Sequence, residues 1–85
     1  MSNDIDKFLA SLRAHIESRV REQLVRHQRV VPTSDRKQIV ELQMKQEREK
    51  LVRLIEQHEE DPTMSDAYQT ILDWLPELER DIKRR

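Results

Sequence analysis

Three imidazoles, His15, His27 and His58, are the only histidines in this 85-residue chain, and there is no cysteine. Their spacing rules out most metal chemistry. No Glu-x-x-His occurs, so the carboxylate-bridged di-metal pattern of four-helix bundles is absent, and no His-Glu-x-x-His provides a zinc protease site. His58 precedes Glu59, Glu60 and Asp61, a run that reads as the hydrated end of a helix. His15 and His27 lie among arginines and read as surface residues. Paired carboxylates are plentiful, but acid–base catalysis needs a dry pocket with shifted pKa values, and here most acids have a base at helical spacing. Ser2, Ser11, Ser18, Ser34 and Ser65 lack the glycine-flanked elbow that presents a nucleophile. The expectation is a protein that is not an enzyme and uses neither a cofactor nor a metal.

The chain contains no glycine at all. Glycine supplies the positive φ angles of tight hairpins, so a β-sandwich or barrel is disfavoured. The Walker loop and the dinucleotide fingerprint are excluded with it. Apolar residues make up 35% and charged residues 39% of the chain, with a net charge of only −1. Globular domains average ~45–50% apolar and ~25% charged residues. Interleaved charge near neutrality fits salt-bridged helix surfaces better than a self-repelling disordered chain. No apolar run reaches the ~20 residues that span a bilayer, and the acidic N-terminus does not resemble a signal peptide. No membrane association is expected, with the cytoplasm as the default location.

Prolines and capping residues divide the chain into three predicted helices, about 4–31, 35–60 and 65–84, within a single domain, 1–85. Ser2 or Asn3 caps the first, whose apolar residues Ile5, Phe8, Leu9, Leu12, Ile16, Val20 and Leu24 recur every three or four positions. Glu17–Arg21 and Glu22–Arg26 add i,i+4 pairs, and Pro32 ends the helix. Thr33, Ser34 and Asp35 are candidate caps for the second helix. Between residues 43 and 50 that helix has one apolar residue, Met44, so a solvated mid-section held by Glu41–Lys45 and Glu49–Arg53 is predicted. Thr63 or Ser65 is expected to cap the third helix, which carries Tyr68, Ile71, Leu72, Leu75, Leu78 and Ile82. Pro76 lies inside it, but the apolar phase continues without a slip, which predicts one kinked helix. The fold class is all-α: a long antiparallel helical hairpin plus a shorter proline-kinked third helix, closing a three-helix bundle or a dimeric helical bundle with partial coiled-coil character.

Charge is segregated along the chain. Residues 13–37 hold seven bases against three acids, and residues 56–81 hold nine acids against Arg80. Two functional expectations follow. The first is a protein–protein interaction module, an adaptor, assembly factor or regulator, that self-associates as a homodimer because its apolar content is low for a monomer. Its partner contacts are expected at Met64, Tyr68, Trp74, Leu75 and Leu78, tryptophan being a common interface anchor. A variant of this reading has the acidic segment covering a partner's charged surface. The alternative is a nucleic-acid-binding regulator that contacts phosphates through Arg19, Arg26 and Arg29. Aromatic stacking residues are missing from the basic stretch, and an acidic partner exists within the chain. Docking of the basic helix on the acidic third segment is therefore favoured over phosphate contact.

Overall fold

The structure is a computed structural model that describes residues 2–31 and 35–84, with side chains from residue 4 onward. It contains α1 (Ser2–Val30), α2 (Arg36–Gln57) and α3 (Pro62–Arg84), and no strand among the described residues. The helices pack as a three-helix bundle of 46 × 24 × 18 Å. Cross-links show the topology. Arg36 at the start of α2 meets Ile82 near the end of α3, and Phe8 early in α1 meets Tyr68 early in α3. The chain therefore runs up, down and up, with α2 antiparallel to both neighbours. Its Cα radius of gyration is 14.3 Å, against about 12 Å for a compact domain of this length, so the bundle is elongated.

The periodicity places the core. In α3 the steps from Tyr68 through Ile71, Leu75 and Leu78 to Ile82 alternate between three and four residues, and all five are buried. They meet Ile16, Val20 and Leu24 of α1, and Ile39, Val40, Met44 and Leu51 of α2. Phe8 packs edge-on to Tyr68 with ring centroids 5.9 Å apart, closing one end of the bundle. This core covers the α3 stripe and the middle of the α1 and α2 stripes within one chain.

Helix ends show how the chain turns without glycine. Asp35 is the N-cap of α2, its Oδ1 accepting from Lys37 N at 2.9 Å; Thr33 and Ser34, the other expected caps, lie outside the described residues, as does Pro32. The α1 cap expected at Ser2 or Asn3 also concerns side chains outside the description. The second helix ends at Gln57, earlier than predicted. His58 closes it: its backbone N–H reaches the carbonyls of Leu54 and Ile55, and its Nδ1 lies 2.7 Å from Leu54 O. It is half-buried against Tyr68, with centroids 5.3 Å apart, and is no frayed, hydrated end. α3 begins three residues earlier than predicted, and its cap is Asp61 in place of Thr63 or Ser65. Asp61 Oδ1 accepts from Met64 N at 3.3 Å, and its carbonyl accepts from Ser65 N at 2.9 Å. Pro62 occupies the first helical position, where its missing N–H costs nothing. No described residue has a positive φ, so both helix ends close with ordinary backbone. α3 continues through Pro76 as one helix, with Pro76 on the exposed side.

Candidate functional site

The one buried charge among the described residues is Glu47, with 3% of its side chain exposed. It belongs to the stretch of α2 predicted to be solvated, and that prediction fails for both Met44 and Glu47, which face α1 and the core. Arg19 reaches it from α1 as a two-pronged donor, Nε to Oε2 at 2.8 Å and Nη2 to Oε1 at 2.5 Å. Planar guanidinium and carboxylate match in this geometry, and both carboxylate oxygens are satisfied. Lys50 adds a weaker contact, Nζ standing 3.7 Å from Oε2. The hydrogen bond to Glu47 raises the Arg19 pKa above its ordinary value, opposed by partial burial and aided by the charge of Glu47. The Arg19 side chain is 44% exposed, so the pair lies at the rim of the α1–α2 seam with its acid inside.

Of the arginines considered for phosphate contact, Arg19 is therefore committed to Glu47. Arg26 is exposed and pairs with Glu22 at 2.7 Å, and Arg29 is exposed. The basic helix does not dock on the acidic third segment through these residues either: the interhelical pair of Arg19 goes to α2. Arg13 is the base of α1 that meets α3, and it does so through an aromatic ring. Its guanidinium carbon stands 5.9 Å from the Trp74 ring centroid, and its buried Nε has no hydrogen-bond partner among the described residues.

The residues expected to meet a partner divide in two. Tyr68, Leu75 and Leu78 are buried in the core of the single chain, and Met64 and Trp74 are half-buried against it. The tight apolar stripe of α3 is thus an internal surface. Sequence periodicity shows that a face will be buried but not by which chain. Apolar residues that do reach solvent are elsewhere: Val25, Val30 and Val31 at the end of α1, and Leu42 and Val52 on the outside of α2.

Beyond Arg19–Glu47, the interhelical hydrogen bonds between described residues lie at the α2–α3 seam. Lys83 of α3 reaches Glu41 of α2 at 2.8 Å and Glu79 of its own helix at 2.9 Å. Bonds to Glu41 first and Glu79 second raise the Lys83 pKa, against a smaller opposing effect of desolvation. Arg36 Nη2 donates to Ile82 O at 2.8 Å, satisfying one of the last carbonyls of α3 with a cation where the helix dipole favours it. Of the predicted i,i+4 pairs, Glu17–Arg21 forms at 3.0 Å and Glu22–Arg26 at 2.7 Å. Glu41 pairs with Lys83 in place of Lys45, and Glu49–Arg53 does not close to ion-pair distance.

The outer face of α3 has a different character. Asp66, Thr70, Asp73, Glu77 and Asp81 follow one another at steps of four, three, four and four, and all are exposed. At 1.5 Å per residue they span about 22 Å along the helix. Asp73 accepts from Gln69 at 3.0 Å, and Thr70 donates to the Asp66 carbonyl at 2.9 Å. None of the four carboxylates forms an ion pair with a described residue. No group of His, Asp or Glu among the described residues has the geometry of a metal site, and no helix is long and apolar enough to cross a membrane. No family model, curated protein or solved structure matches the chain.

Proposed function

We propose that this protein is a protein–protein interaction module whose recognition surface is the carboxylate row on the outer face of α3, a face that Arg80 and Arg84 share at its C-terminal end. One observation carries the reading: Asp66, Asp73, Glu77 and Asp81 form an exposed row without an ion pair among the described residues, although the chain pairs acids and bases elsewhere. A row of carboxylates on a rigid helix is complementary to a basic segment of a partner protein. Such complementarity sets orientation and association rate more than raw affinity. The partner chemistry is a lysine- or arginine-bearing helix or extended segment of comparable length.

A fluorescent basic amphipathic peptide is a direct probe. Binding at low salt should weaken as ionic strength rises, since exposed charges are screened over ~8–10 Å under physiological conditions. The variant D66N/D73N/E77Q/D81N should keep its helical signal and melting behaviour, because no cross-helix bond is lost. Its affinity should fall about 10-fold, each surface pair contributing a few tenths of a kcal/mol. No binding at low salt, or equal binding by the neutralised chain, refutes the reading.

Self-association is the second part of the proposal. The aliphatic side chains Val25, Val30, Leu42 and Val52 reach solvent, and they are the surface a second copy would cover. That copy cannot use the α3 stripe, which is internal. Sedimentation at increasing concentration checks it, and a monomer throughout refutes it.

A further inference from the structure

We propose that the outer face of α2 pairs antiparallel with the same face of a second copy, Leu42 of each chain meeting Val52 of the other and Lys45 of each meeting Glu49 of the other. This deepens the self-association reading and rests on it, but is independent of the carboxylate row of α3.

The buried face of α2 carries Val40, Met44, Glu47 and Leu51. On the opposite side of the helix lie Gln38, Leu42, Lys45, Glu49, Val52 and Glu56, all exposed. They follow one another at steps of four, three, four, three and four, the spacing by which one helix packs lengthwise on another. At 1.5 Å per residue the seam is about 27 Å long. Leu42 and Val52 are 54% and 40% exposed, so two aliphatic side chains stand in solvent on it. Lys45 and Glu49, between them, form no ion pair with a described residue, and Glu49–Arg53 within the helix does not close. A shallow depression of about 360 Å³, lined by Arg48, Glu49, Val52 and Arg53, opens along the same face.

The order of residues along the seam selects the occupant. From either end it reads polar, aliphatic, charged, charged, aliphatic, polar, and the two central charges have opposite signs. A two-fold axis at the level of Glu47 therefore sets Leu42 against Val52 twice and Lys45 against Glu49 twice, with Gln38 facing Glu56 at both ends. Leu42 of the second copy then falls over the depression beside Val52. Other arrangements of the same two faces lose these matches. A parallel pair in register opposes Lys45 to Lys45 and Glu49 to Glu49, and an antiparallel slip of seven residues sets Leu42 against Lys45 or Glu59. The seam is one helix face wide, and Arg48 of both copies approaches the axis on one flank, so the pair is weak and forms only at high concentration.

Charge reversal tests the pairing by sedimentation over a concentration series, with helical ellipticity recorded to check that each variant folds. The native chain should dimerise with a dissociation constant below about 1 mM. K45E places two carboxylates at each central contact and E49K two ammonium groups, so either alone should weaken the dimer at least about 10-fold. K45E/E49K exchanges the signs and restores both contacts, and its dimer should return to within about threefold of the native one. L42Q, which alters no charge, should weaken the dimer as well, and keeps the test open if a reversal disturbs the helix. Single variants that dimerise like the native chain, or a double variant as weak as the singles, overturn this seam while self-association through another face stands. A native chain that remains monomeric up to about 1 mM removes both.

Discussion

Replacing Arg19 with alanine removes both hydrogen bonds to Glu47 and leaves a carboxylate whose side chain is 3% exposed. Breaking a buried ion pair by deleting one partner costs ~3–5 kcal/mol. The cost here falls at or below the lower end, about 2–3 kcal/mol with that figure discounted. Arg19 already has 44% of its side chain in solvent, and the Lys50 ammonium remains 3.7 Å from Glu47. A domain of this length is stable by about 4–13 kcal/mol in total, so the loss is a large share. It corresponds to a drop in melting temperature of about 10–20 °C. Replacing Glu47 with methionine should behave differently, because it removes the buried charge and keeps a side chain of similar length. Arg19 then turns fully into water, and stability should change by less than about 1 kcal/mol in either direction. Urea unfolding of both variants, followed by helical ellipticity and by the emission of the single tryptophan, Trp74, measures the asymmetry. If R19A unfolds within about 0.5 kcal/mol of the native chain, or E47M loses as much as R19A, Glu47 does not bear the desolvation cost argued from its burial.

Three further outcomes are expected. Pro76 lies on the exposed side of an uninterrupted α3, so P76A restores a helix hydrogen bond without disturbing the core and should raise stability by about 1–3 kcal/mol in thermal melts. Ile71 is fully buried where the three helices meet, and I71A should cost about 2–5 kcal/mol by urea unfolding, depending on how far the cavity collapses. Lys83 has a folded pKa raised above its ordinary 10.5 by Glu41 and Glu79. Its stabilising contribution is complete below that ordinary value and is lost as pH rises through the higher folded value. Comparing K83M with the native chain between neutral and strongly alkaline pH should show the two converging at the alkaline end, and a constant difference would contradict the ion pair.

Local rules in the sequence were enough for the three helices and for much of the core. The absence of glycine removed turn-rich folds, the three- and four-residue steps of α1 and α3 located their buried faces, and Asp35 had the side chain an N-cap requires. The unbroken apolar phase across Pro76 indicated one helix, because a break in the helix would have shifted the stripe. Asp61–Pro62 was legible too, as a cap followed by a first-position proline, but Thr63 and Ser65 matched the same preference for oxygen-bearing caps and masked it. These features depend on neighbours within a turn or two.

Tertiary structure decided which chain covers each stripe and where each charge goes. Tyr68, Leu75 and Leu78 have the same pattern whether they face their own core or a partner, and only the closing of α1 and α2 over α3 makes them internal. Glu47 falls between Met44 and Leu51 at the three- and four-residue spacing of a buried face, while its charge and its polar neighbours predict exposure. It is buried because α1 passes over it 28 residues away in sequence and brings Arg19. Compensation of a buried charge is a pairwise property of two distant residues, so the phase of α2 can place Glu47 on the inner face but nothing near it names Arg19 as its partner. The same holds for Glu41, drawn from its predicted helix neighbour Lys45 to Lys83 on another helix. What remains in solvent, the carboxylate row of α3 and the aliphatic end of α1, is defined only after these long-range choices are made.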